Sequence, residues 1–132
     1  MNKNQIGDKK LIILFTEDFY KFYYGINLAN TLKACNKDIE VFFSGYACNY
    51  LKKDWKTNDK KLLHEKVFHS YNCNLNELFK LSLDLNIGFF YCQTSFELFD
   101  IKKSEMNSFL ELKAIGLYSI INNYKEHNII FI

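Results

Sequence analysis

Ile87-Gly88-Phe89-Phe90-Tyr91-Cys92-Gln93-Thr94-Ser95 joins an apolar run to a polar, helix-opening stretch. A short apolar run bounded by turn residues predicts a strand buried on both faces. Gln93, Thr94 and Ser95 predict a loop that opens a helix. In a sheet with helices on both faces, ligands and chemistry collect at the carboxyl ends of the strands. Cys92 occupies such an end. A helix amino terminus adds unpaired N–H groups and a partial positive charge, and both favour a thiolate. Position alone therefore makes Cys92 the candidate nucleophile.

Upstream, Lys10–Phe15 reads as a buried first strand and Glu40–Ser44 as a second. Asp18 is the expected N-cap of a helix from Phe19 to about Asn36, with Tyr24, Leu28, Leu32 and Cys35 recurring on its inward side. Gly45 turns the chain, and Tyr46–Lys53 reads as a short helix. Residues 54–72 read as an irregular loop holding Trp55, His64, His69 and part of a lysine cluster (Lys52, Lys53, Lys56, Lys60, Lys61, Lys66). A connection this long is uncommon in a compact domain, and is functional, partly helical or mobile. Asn74 and Glu77 predict a capping box, followed by a buried stripe of Leu75, Leu78, Phe79, Leu81 and Leu85.

Beyond Cys92, Ser95–Phe99 and Lys102–Met106 predict helical turns and Ser108–Leu112 a short strand. Ile115–Glu126 predicts a helix with Ile115, Tyr118 and Ile121 inward and Ile120 as a further candidate, and Asn128–Ile132 a last strand. This alternation predicts one α/β domain over residues 1–132. Its three layers would be a mostly parallel five-stranded sheet flanked by helices.

A chain of 132 residues is long enough for one real core. A formal net charge of +2 supplies no basic field of the kind nucleic-acid binding needs. Every non-histidine basic residue is lysine, so bidentate arginine clamps are not available. The start, Met1–Lys10, is polar, and Leu11–Phe15 is too short for the apolar core of a signal peptide. No stretch approaches the roughly 18 apolar residues of a membrane span. Cys35, Cys48, Cys73 and Cys92 form no C-x-x-C, and without a leader a reducing cytoplasm with free thiols is expected.

Familiar α/β chemistries fit poorly. The first strand leads into Thr16-Glu17-Asp18-Phe19, with no glycine fingerprint and two acids that would repel a phosphate. A receiver domain would want an aspartate where Cys92 stands. Thioredoxin chemistry wants C-x-x-C and usually a cis-proline, and the chain has no proline. His64, His69 and Cys73 follow no zinc spacing, so no metal or cofactor is expected. Free cysteines are mostly buried and inert, the expectation for Cys35 and Cys73. Cys48 follows the second strand and is a candidate second, resolving thiol for Cys92. Glu17 and Asp18, if near Cys92, would raise its pKa. The lysine cluster reads as a solvated face or, with Trp55, a docking surface for an acidic protein.

The segment Tyr91-Cys92-Gln93-Thr94-Ser95-Phe96-Glu97-Leu98-Phe99-Asp100-Ile101-Lys102-Lys103-Ser104-Glu105-Met106 resembles the DsrE/DsrF-like sulfur-relay family. It is closest to the branch reading A-C-Q-x-S-x-D-x-x-G-I-K-K-E-E-L, sometimes labelled peroxiredoxin-like. Lys10–Phe15, Glu40–Ser44 with Tyr50–Lys53, and Gly116–Tyr118 through Asn128–Ile132 are similar to other parts of that branch. Asp100 replaces its glycine, and its long middle segment is shortened between residues 54 and 72.

The resemblance implies a flavodoxin-related α/β fold, often assembled as trimers or hexamers. It also implies a persulfide carried on Cys92 and passed between a protein sulfur donor and an acceptor thiol, such as one on a TusA-like protein. Gln93, Thr94 and Ser95 would hydrogen-bond the sulfur. The alternative is a non-catalytic, oligomeric protein-interaction module using the aromatic, lysine-rich segment 52–72.

Overall fold

A computed structural model describes residues 8–132; Met1–Gly7, most of the polar start, lie outside the described residues. Five segments form strands: β1 (Lys10–Leu14), β2 (Ile39–Phe43), β3 (Gly88–Tyr91), β4 (Leu112–Ala114) and β5 (Ile129–Phe131). They pair in the order β4-β3-β2-β1-β5, and every pairing is parallel. Parallel neighbours need crossovers, supplied by helices α1 (Phe19–Ala34), α2 (Leu63–Tyr71), α3 (Leu75–Asp84), α4 (Gln93–Leu98) and α5 (Leu117–Ile121). Three successive connections step the sheet outward from β1 to β4, and the last returns to the far side of β1. Right-handed crossovers in opposite directions place their helices on opposite faces.

The two faces are unequal. Ile12, Leu14, Val41, Phe43, Phe89 and Tyr91 join the large core packed under α1 and α3. Phe22 of α1 anchors it, with ring centroids 5.7 Å from Phe43, 5.0 Å from Tyr50 and 6.1 Å from Phe79. Each such pair contributes roughly 0.5–1.5 kcal/mol beyond simple area burial. On the opposite face, among the described residues, Leu11, Ile13 and Phe42 are covered by Ile120 and partly buried neighbours such as Phe90, Cys92, Ile115 and Tyr124.

The expected inward face of α1 is rotated. Phe19, Phe22, Tyr23, Ile26 and Ala29 are buried, whereas Tyr24 and Cys35 are exposed and Leu28 and Leu32 lie at the rim. Two apolar stripes compete on this helix, and the aromatic one meets the sheet. It also carries Asn30, a polar residue that periodicity assigns outward. Asn30 donates to the Leu78 carbonyl at 3.3 Å and accepts from the Ser82 hydroxyl at 2.7 Å, tying α1 to α3. Gly25 permits the close approach, since a Cβ there would lie 2.3 Å from a Leu14 methyl.

The expected irregular loop 54–72 is mostly helical. Trp55–Asn58 forms a 3-10 turn and Leu63–Tyr71 forms α2. Buried Asp59 organises the junction. Its carboxylate accepts from the Leu63 and His64 backbone N–H groups at 3.1 and 2.7 Å, and meets His64 Nδ1 at 2.6 Å. Leu62 and Asn72, at φ 55° and 54°, bend the chain into and out of α2. Trp55 is buried and stacks on Phe19 at 5.2 Å, so it is a core residue and not the docking aromatic that its neighbouring lysines suggest.

Asn74 and Glu77 form the expected reciprocal cap, with both bonds at 2.8 Å. Leu75, Leu78 and Phe79 are buried below it, but Leu81 is exposed and Ser82 takes the inward place. The fourth strand begins at Leu112 rather than Ser108, because Asn107 and Leu110 are held in a turn (Leu110 N–H to the Asn107 carbonyl, 3.2 Å). The final helix stops at Ile121, and Tyr118 is exposed. Asn122 and Asn123 follow, residues whose side chains compete with helical backbone bonding. Among the described residues no helix is long and apolar enough to cross a membrane.

The corrected α3 face has a measurable consequence. Leu78→Ala is expected to lower the unfolding free energy by about 2–5 kcal/mol. Leu81→Ala should stay within about 0.5 kcal/mol of wild type. Urea unfolding of both variants checks this, and equal losses would refute the assignment.

Candidate functional site

The site begins with strand register. β2 and β3 pair with Phe43 opposite Tyr91, so the next residues, Ser44 and Cys92, leave the sheet side by side. Cys92 continues the ladder by donating its N–H to the Phe43 carbonyl at 3.0 Å. It is also the N-cap residue of α4, where its carbonyl accepts from the Ser95 and Phe96 N–H groups at 3.1 and 3.2 Å. A short turn of helix thus begins where the strand ends, with its first N–H groups around the cysteine.

The half-buried thiol experiences two opposed effects. Burial pushes its pKa up. Hydrogen bonds to the thiolate from the Ser95 hydroxyl, the Ser95 and Thr94 N–H groups and the Ser44 hydroxyl outweigh burial and bring the pKa below its ordinary value. Ser95 is itself fixed, because its Oγ accepts from the Gly45 N–H at 2.8 Å and lies 3.4 Å from Ser44 Oγ. Gly45 adopts φ 64°, and a Cβ there would meet the Phe15 ring at 2.6 Å. Glycine therefore lets the chain turn beneath Phe15 and aim its N–H at Ser95.

Of the residues expected at the site, Cys92, Thr94 and Ser95 come together, with Thr94 contributing its backbone and Ser95 both backbone and side chain. Gln93 is exposed on the first turn of α4, and no hydrogen bond ties its side chain to the other described residues. Cys48 lies in the 3-10 turn Gly45–Leu51 and is completely buried. Burial and the neighbouring charge of Cys92 push its pKa up to about 12, against partial support from the Cys92 and Cys48 N–H groups. The two thiols are electrostatic neighbours shifted in opposite directions, Cys92 below its ordinary pKa and Cys48 up to about 12.

Ser44 and Gly45 are the parts that motif reading missed. The signal was available in register: the residue after β2 must stand beside the residue after β3. Glu17 and Asp18 are not among the groups that shift the Cys92 thiol. Asp18 caps α1 by accepting from the Lys21 N–H at 2.9 Å, and both acids line a separate cavity with Tyr46 and Tyr50. Among the described residues no three potential metal ligands converge.

The DsrE/DsrF-like family model matches residues 9–131. The chain belongs to the DsrE/DsrF-like family. Its fold is similar to that of a solved protein of unknown function from Methanobacterium thermoautotrophicum. The TM-score is 0.55 at 11% identity, with 94% of this chain and 96% of that chain covered. No curated protein matches the sequence significantly.

Alkylation by iodoacetamide across pH should show Cys92 reacting with a midpoint below the value of about 8.5 for an unstructured cysteine. Ser95→Ala should move that midpoint upward, since it removes a bond made to the thiolate. Cys48 should remain unlabelled until the protein unfolds. A Cys92 midpoint unchanged by Ser95→Ala would refute the cradle.

Proposed function

We propose that this family member is a small sulfur carrier, acting as a sulfurtransferase through a persulfide on Cys92. The observation that carries the reading is the thiol at the end of β3, with hydrogen-bond donors from Ser44, Thr94 and Ser95 arranged to favour its anion. The Cys92 thiolate attacks the outer sulfur of a donor persulfide. A sulfur–sulfur bond forms to Cys92, the donor's own sulfur–sulfur bond breaks, and the donor thiolate leaves and takes up a proton. An acceptor thiolate then attacks the outer sulfur on Cys92 and releases the Cys92 thiolate. No electrons are gained or lost overall, so no cofactor or metal is needed.

The cradle suits both half-reactions. In the first it eases ionisation of the attacking thiol relative to an ordinary cysteine, and in the second it stabilises the leaving thiolate. Ser44, Thr94 and Ser95 are the groups around the sulfur, while Gln93, exposed beside it, faces an incoming partner. Donor and acceptor are proteins bearing reactive thiols, the acceptor of TusA-like type, and the setting is the cytoplasm. Cys48, fully buried and held as a thiol, supports a packing role more than a resolving one.

The thinly covered sheet face supports a homo-oligomer, as a trimer or hexamer. Phe15 and Phe131 are half or more exposed and pack on each other at 5.7 Å, and Tyr118 is 80% exposed. Exposed apolar side chains on this face support association.

Incubation with glutathione persulfide followed by peptide mass spectrometry tests the carrier reading. The Cys92 peptide should gain the mass of one sulfur, lose it on reduction, and pass it to a thiol acceptor. Cys92→Ser should gain none there. A folded wild-type protein that takes up no sulfur at Cys92 would leave the family fold as an interaction module without covalent chemistry.

A further inference from the structure

Tyr91 precedes Cys92 but points to the other side of the sheet, into the larger core, while Cys92 packs with the smaller one. Its side chain is 4% exposed and stacks on Phe96 with ring centroids 4.1 Å apart. Yet its hydroxyl has no hydrogen-bond partner among the described residues. A buried phenol normally finds one. Tyr91 lines a cavity of 420 Å³ floored by Phe96, Met106, Leu110 and Leu112. Lys53 and Lys103 also line it, and no carboxylate side chain does. Both lysines are exposed, and neither has an ion-pair partner among the described residues.

The walls are held by backbone. Lys53 donates its N–H to the Glu105 carbonyl at 2.9 Å, and Asn107 donates to the Leu51 carbonyl at 3.0 Å. Lys52 and Met106 form an antiparallel bridge between the same two segments. The cavity lining therefore combines apolar side chains with a phenol and two lysine side chains that have no hydrogen-bond or ion-pair partner among the described residues. Its volume lies at the small end of ligand pockets, too small for a dinucleotide.

We propose that this cavity binds a small organic carboxylate with an apolar body, its anion held by Lys53 and Lys103 and by a hydrogen bond from the Tyr91 hydroxyl. The apolar body lies on Phe96 and Met106. Binding here is independent of sulfur transfer, because the cavity opens on the face of the sheet opposite Cys92.

Amide-resolved NMR of the isotope-labelled full chain tests this with 3-phenylpropionate and octanoate as probes and 3-phenylpropionamide as the neutral control. The carboxylates should give saturable shifts at Lys53, Tyr91, Phe96 and residues 103–107, and the amide should bind far more weakly. Tyr91→Phe should weaken carboxylate binding about tenfold, as expected for loss of a hydrogen bond to a charged group. The surface pair Lys53→Gln with Lys103→Gln, which leaves the core untouched, should weaken it similarly. The proposal is overturned if neither carboxylate gives saturable shifts at these residues. It is equally overturned if the amide binds as well, or if neither variant changes the affinity.

Discussion

Much of the molecule depends on the parallel pairing of β2 with β3. With Phe43 opposite Tyr91, the residues that leave the two strands emerge together, and the N–H of Cys92 extends the ladder by one bond to the Phe43 carbonyl. That bond fixes where the cysteine backbone stands. Ser44, Gly45 and Ser95 are then within reach of one another, and their hydrogen bonds define the surroundings of the thiol. Slipping a parallel strand by one residue would turn every side chain to the other face. It would bury Cys92 where Tyr91 now packs.

The two thiols near this edge show how local environment decides protonation. Cys48 is sealed in the core, where an anion loses its hydration and gains little in return, and it stays protonated. Cys92 is only partly withdrawn from water and receives several donors at once, so its pKa falls below the ordinary value despite the burial. Donors held by backbone turns do this without reorganising when the charge appears. The φ of 64° at Gly45 belongs to the same device, since it directs an N–H at Ser95 under the Phe15 ring.

Alternation along β3 sends Tyr91 and Cys92 to opposite faces of the sheet. Tyr91 faces the thick aromatic core and the cavity beside Lys53 and Lys103, whereas Cys92 faces the thin core covered by α5. The thick side holds most of the buried aromatic volume and the Asn30–Ser82 hydrogen bond. The thin side leaves Phe15, Phe131 and Tyr118 in solvent. One sheet thus carries a densely packed face and a thinly covered one, with Cys92 on the thin side.

Several of these features were legible in the residues. The apolar runs before Thr16, Ser44 and Cys92 mark the first three strands, Asn74 and Glu77 mark a helix start, and Cys92 after a strand marks the candidate site. These are local signals, set by side-chain chemistry and short spacing. The buried face of α1, the helix within residues 54–72, the late start of β4 and the roles of Ser44 and Gly45 were not legible in that way. Each depends on a partner distant in the chain or on a backbone turn: Asn30 on Ser82, Trp55 on Phe19, Leu112 on Phe89, Ser44 on Cys92. By itself the sequence determined an α/β chain with a cysteine at a strand end, because apolar runs and caps act over a few residues. Only the tertiary structure decided which donors surround that cysteine and which thiol stays protonated, because burial and hydrogen-bond reach are set by segments that meet in space.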